Sequence, residues 1–131
     1  MVRQMFLGKF PFRHASNVPV VDVRDVAEAL LRAMTFPRAA NRRYMVACSE
    51  TVAPVDLCRA VAEHFAGQGY ECVAPEEAPE NLRRSSDGRT YSDKRRREEL
   101  GMKTMIDYKD SVVAMANSLI EAGLVKKRTT D

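Results

Sequence analysis

Val18-Pro19-Val20-Val21-Asp22-Val23-Arg24-Asp25-Val26-Ala27-Glu28-Ala29-Leu30-Leu31-Arg32-Ala33 is the stretch on which the reading of this chain turns. Val18 to Val23 is short, β-branched and nearly all apolar, the pattern of a buried strand. Asp25 then predicts a helix start, because a carboxylate at the N-cap accepts otherwise unpaired backbone N–H groups. Val26, Ala29, Leu30 and Ala33 recur at helical spacing and predict one apolar face. The helix must end before Pro37, since the residue preceding a proline avoids helical angles. A strand feeding directly into a helix is the building unit of an α/β fold.

Upstream, Val2, Met5 and Phe6 keep helical spacing, and Gly8 can stop that helix. Residues 10 to 17 read as a loop carrying Pro11 and His14. Downstream, Arg43 to Ala47 is a second strand candidate and Ser49 to Ala53 a turn. Pro54 suits the first position of a helix, where its missing N–H is no loss. Leu57, Cys58, Val61, Ala62 and Phe65 form the buried stripe of that helix, and Gly67 and Gly69 end it. Glu71 to Ala74 is a third short strand. Residues 75 to 90 hold two prolines and Asp87-Gly88, and are expected to be the most mobile stretch. Ser92 or Asp93 caps a basic helix ending at Leu100-Gly101. The last helix is expected from Lys109 to Ala122, with Val112, Met115, Ala116 and Leu119 as core face, Gly123 left-handed and Leu124 packing back. Residues 126 to 131 are a tail. The expectation is an α/β lobe of three short, mainly parallel strands with about five helices. Three strands of about four residues leave open edges, so the lobe is expected to lean on another body of protein.

A length of 131 residues fits one domain, and 45% hydrophobic with 30% charged residues is globular rather than disordered composition. No apolar run approaches the roughly 20 residues of a membrane helix, and the N-terminus is too short in apolar residues for a secretory signal. Cys48, Cys58 and Cys72 are odd in number and lack C-x-x-C spacing, which reads as reduced, buried thiols in a cytoplasmic protein. The net charge of +3 is mild. Basic residues cluster at Arg83-Arg84, Lys94 to Arg97 and Lys126 to Arg128 without interleaved aromatics, which argues against a nucleic-acid groove and for a solvated helix face.

Several chemistries are missing from the sequence. None of the six glycines stands in a turn between a strand and a helix, where a dinucleotide would sit. Tyr44, Tyr70, Tyr91 and Tyr108 are followed four positions on by Cys48, Ala74, Arg95 and Val112, so no Tyr-x-x-x-Lys acid–base pair exists. His14 and His64 are far apart in sequence, and a metal site needs convergent ligands. His64 reads as a helix-surface residue, whereas His14, in a loop, could approach a ligand. Cys58 and His64 are separated by about 600° of helical rotation, so they cannot form a nucleophile–base pair.

Five segments in register resemble one family. Val20 to Ala29 is similar to the "V-D-V-R-D-V-A" strand-to-helix signature of extended short-chain dehydrogenases, most of all the branch of dihydroflavonol and cinnamoyl-CoA reductases. Ala40-Asn41-Arg42-Arg43-Tyr44-Met45-Val46 resembles the following "A-x-x-R-Y" strand, and Thr51 to Leu57 the next helix start. Ser92-Asp93-Lys94 with Glu99-Leu100-Gly101 resembles the "S-K … L-G" helix, and Ser118 to Val125 the C-terminal helix ending. The resemblance spans nearly all of residues 1 to 125. It departs at Ala53, where a Ser or Thr cap is usual, in one extra residue between Ser92 and Leu100, and in the 75 to 90 loop, which does not align.

The resemblance implies that the chain is the C-terminal, substrate-binding lobe of an extended Rossmann-type reductase. The nucleotide-binding half, with its glycine turn and Tyr–Lys pair, is then absent from residues 1 to 131. NADP(H) is implied for the parent protein and none for this chain alone, which is expected to be inactive by itself. The parent would reduce a small carbonyl substrate. Met5, Phe6, Phe10, Phe12, Asn17 and Pro19 are the candidate pocket wall, with Met5, Phe6 and Phe10 equally readable as core. Asp22 is read as structural. The alternative is a standalone, non-catalytic α/β protein-interaction module. In either case exposed apolar surface at Val2 to Phe6 and Val18 to Val23 predicts a homo-oligomer through the N-terminal region.

Overall fold

Asp22, not Asp25, begins the central helix. In the structure, a computed structural model describing residues 1–7, 17–48, 50–70, 72 and 91–127, the Asp22 carboxylate accepts the backbone N–H of Arg24 at 2.8 Å. Helix α2 therefore runs Val23–Thr35. Asp25 lies inside the first turn, is buried, and accepts the backbone N–H of Ile106 at 2.9 Å. Both aspartates fit a cap by sequence; only the tertiary partner at Ile106 separates their roles.

Before α2 come α1, Val2–Phe6, and β1, Val18–Pro19. After it come a single 3-10 turn at Pro37–Ala39, β2 at Thr51–Val52, α3 at Pro54–Phe65, α4 at Lys94–Glu99 and α5 at Tyr108–Glu121. The described chain is thus helix-rich, with five α-helices and one two-stranded sheet. The strands pair antiparallel, Val18 with Val52 and Pro19 with Thr51, where a mainly parallel arrangement of three was expected. The Val18 to Val23 strand is cut short because Pro19 has no N–H to give a ladder and the helix has begun by Val23. β2 falls on the predicted turn.

Arg43 to Ala47 does not form a strand. Its alternation is real: Tyr44 and Val46 pack inward and Ala47 is buried, while Arg43 and Met45 are exposed. Alternation places side chains but does not supply a hydrogen-bonding neighbour. The bond from Cys48 N to the Val20 carbonyl, 2.9 Å, ties the end of this segment to the chain leading into α2. Of the third expected strand, Glu71 to Ala74, only Cys72 is among the described residues, and the 75 to 90 loop lies outside them.

The main core joins α1, α3 and α5. Met5, Cys58, Val61 and Ala116 are fully buried there, and Leu57 is 1% exposed. Each large side chain so buried contributes about 1.5–3 kcal/mol. The rings of Phe6, Phe65 and Tyr70 meet edge-on with centroids 5.6 to 6.3 Å apart. The Val2 to Phe6 face, expected as an exposed association surface, is therefore inside: Val2, Met5 and Phe6 are all buried. A five-residue helix has little stability of its own, so packing decides its place. A second, smaller core gathers Ala29, Ala39, Leu100 and Met102.

α3 starts as expected at Ala53 without a side-chain cap and with Pro54 at its first position. α5 is capped by Asp107, which accepts from Lys109 N at 2.8 Å. It closes in a Schellman turn: Leu124 N donates to Leu119 O and Gly123 N to Ile120 O, both at 2.9 Å, with Gly123 at φ 70°. Val125, not Leu124, is the buried residue beyond that turn, and Met115 is exposed although its spacing matched the core face.

Candidate functional site

The six residues proposed from sequence as a pocket wall are not gathered into one cavity. Met5 and Phe6 belong to the core of α1, Phe6 also edging a cleft beside Leu7 and Gly123 to Lys126. Phe10 and Phe12, like His14, lie outside the described residues. Asn17 is half-buried just before β1, and its Oδ1 is enclosed without a hydrogen-bond partner among the described residues. Pro19 is exposed on β1.

A more coherent concavity lies between the start of α2 and the middle of α5. It is a trough of about 600 Å³, walled by Val21, Val23, Val26, Ala114 and Met115. Ser111 and Ser118 line it too, as do Asp22 and Arg24. Ser111, Met115 and Ser118 share one side of α5 by their spacing of four and three. The Arg24 guanidinium grips Asp22 with two bonds of 2.8 Å, and this pair anchors the end of the trough. Hydrogen bonds from the Arg24 side chain hold the Asp22 carboxyl well below the usual carboxylate range, although burial opposes them. The Arg24 N–H and the Ser111 hydroxyl act in the same sense. In turn, Arg24 is raised by Asp22. An ion pair, two serine hydroxyls and an apolar floor line the trough, and no nucleophile–base pair is among its lining residues.

Sequence reading missed this site because Met115 and Val26 carry the same spacing as the true core positions Val112 and Ala29. Only the placement of α2 and α5 in the folded chain decides which apolar residues are covered. Ser111 and Ser118, two helix-surface serines in a chain full of polar residues, gave no signal of their own.

The cysteines are poorly placed for catalysis. Burial pushes the Cys58 thiol up to about 12, and raises Cys72 and Cys48 as well. The Cys72 sulfur sits 3.8 Å from the Cys58 carbonyl, a weak S–H contact. His64 is exposed on α3 with its ring 4.8 Å from that of Phe65. Among the described residues no group of three or more His, Cys, Asp and Glu is arranged to hold a metal ion.

A dinucleotide pyrophosphate commonly sits at an open helix N-terminus. At α2 that position is filled by the Asp22 carboxylate and at α5 by Asp107. α3 opens with Pro54, which has no N–H to offer. Gly67 and Gly69 take positive φ, but at the C-terminal end of α3, where carbonyls and not N–H groups point outward.

No family model, curated protein or solved structure matches the chain.

Proposed function

We propose that the chain is the substrate-binding portion of an NADPH-dependent carbonyl reductase of the extended short-chain dehydrogenase type, near the dihydroflavonol reductase branch. The nucleotide-binding half would come from outside these residues. The observation that carries the reading is the α2–α5 trough: its volume of about 600 Å³ and apolar walls suit a small organic carbonyl compound. The V-D-V-R-D-V-A stretch that resembles the family supplies one side of it, through Val21, Asp22, Val23, Arg24 and Val26. In the whole enzyme β1 and the extended Tyr44 to Val46 segment would border the larger half's sheet. NADP(H) would be held by that half, and the chain alone is inactive. A cytoplasmic setting goes with this reading; Cys48, Cys58 and Cys72 are free thiols, and no described helix is long and apolar enough to cross a membrane.

The test is an amide NMR titration of the chain with cinnamaldehyde and with a dihydroflavonol, beside an NADPH oxidation assay. Binding is expected to shift Val23, Val26 and Ala114 to Ser118, and Ala114→Trp, which fills the trough, is expected to abolish it. No NADPH turnover is expected. Shifts confined to other parts of the chain, or turnover by the chain alone that a point mutant removes, would reject the reading. The second reading, a non-catalytic interaction module, draws on the uncovered apolar face of α2. It predicts no carbonyl binding in the same titration.

A further inference from the structure

A cleft between the end of α1 and the turn that closes α5 is lined by cations and apolar groups and by no acid. Arg3, Phe6 and Leu7 stand three and four residues apart, so they share one side of α1 and make one wall. Gly123 to Lys126, which lead out of the Schellman turn, make the other. The cleft holds about 430 Å³, within the roughly 300–1,000 Å³ of small-molecule sites. Its floor is packed: Phe6 and Val125 are each 9% exposed and belong to the main core. Its rim is open: Leu7 and Leu124 are each 51% exposed and offer apolar surface that a ligand can cover. The face of α2 with Val23, Leu30, Leu31 and Met34 is more exposed still, Leu30 lying outside where its spacing predicts core, but nothing in the structure shows what covers it.

In the cleft, charge selects the occupant. Arg3 and Lys126 are exposed, and neither pairs with a carboxylate among the described residues. The Lys127 ammonium lies over the Tyr70 ring, 5.6 Å from its centroid, and Tyr70 meets Phe6 edge-on at 6.3 Å. A third cation therefore stands one ring away from the cleft floor. Glu121, exposed at the end of α5, is not among the lining residues. The C-terminal ends of α1 and α5 bring partial negative charge, at most about half a unit each. Two full positive charges outweigh them, and the carbonyls of Leu119 and Ile120 already accept the Leu124 and Gly123 N–H groups. An uncharged ligand would leave Arg3 and Lys126 unused. A small inorganic anion would leave Phe6, Leu7 and Leu124 unused.

We infer that the cleft binds an amphipathic organic anion, a medium-chain carboxylate of the size of decanoate. The carboxylate accepts from the Arg3 guanidinium, whose planar fork matches its two oxygens, and from the Lys126 ammonium. The chain lies along Phe6, Leu7 and Leu124. The cleft and the α2–α5 trough share no lining residue, so this site and the reductase reading fail separately.

An amide NMR titration of the full chain with decanoate tests it, beside decanol and acetate. Decanoate is expected to shift Arg3, Phe6, Leu7 and Gly123 to Lys126. Decanol has the chain without the charge, and acetate the charge without the chain; each is expected to bind at least about tenfold more weakly. Arg3→Gln with Lys126→Gln is expected to weaken decanoate by at least about tenfold and to leave amides outside the cleft unmoved, because both side chains are already in solvent. Decanol or acetate binding as tightly as decanoate overturns the inference, as does a double variant that binds decanoate unchanged. No binding overturns it too. Shifts gathered at Val23, Val26 and Ala114 would place the acid in the trough and reject the cleft.

Discussion

Asp22 and Asp25 stand three residues apart at the same helix end and hold different backbone groups, Arg24 N–H and Ile106 N–H. The folded-state Asp22 carboxyl is lowered by Arg24, so its contribution is fully present above the unfolded value, about pH 4, and is lost as the pH falls through the folded value below it. Asp22→Asn is expected to remove that part of the acid dependence, making the melting temperature less sensitive to pH below about 4; a series of thermal melts measures this. Asp25→Ala leaves the cap in place but strips the Ile106 N–H of its partner. An orphaned buried donor costs about 1–3 kcal/mol. Urea melts should show that loss, and amide exchange should quicken at Ile106 while the first turn of α2 keeps its protection. Slowed exchange at Ile106, or fraying of α2 alone, would return the cap to Asp25.

At the scale of elements, helices were legible and strands were not. The starts of α3 and α5 and the glycine stop of α5 follow from local chemistry, a proline without N–H, an aspartate and a residue at positive φ. The Gly123 stop makes a clean prediction. Nothing lies within 4 Å of an added Cβ there, so Gly123→Ala tests backbone strain alone. It is expected to destabilise by about 1 kcal/mol, read as a lower denaturation midpoint with unchanged slope. The Tyr44 to Val46 segment has the alternation of a strand and lacks a partner, and β1 is broken by its own proline. Strand identity depends on a neighbour distant in sequence, and no local pattern names that neighbour.

For the whole molecule, the test of the packing is a pair of substitutions two residues apart. Met5 is fully buried and Leu7 is 51% exposed. Met5→Ala is expected to destabilise by about 2–5 kcal/mol, and Leu7→Ala by no more than about 0.5 kcal/mol. Equal losses in a urea melt would mean that α1 does not sit on α3 and α5. The same measurement bears on the pocket wall drawn from sequence. Apolar residues at helical spacing can face a core, a pocket or a partner, and the three are indistinguishable until the neighbouring helix is placed.

By itself, the sequence determined the proline start of α3, the glycine stop of α5, the end of α2 before Pro37, and the positions of α3 and α5 to within a residue or two. These depend on hydrogen bonds and backbone angles within a few residues of each other, which local side chains dictate. Only the tertiary structure decided that α1 is core, that Asp25 reaches across to Ile106, that Met115 and Val26 line a trough, and that α2 shows its apolar stripe to solvent. Those outcomes depend on which surface meets which, and burial is a property of two surfaces together, set by contacts as far apart in the chain as Asp25 and Ile106.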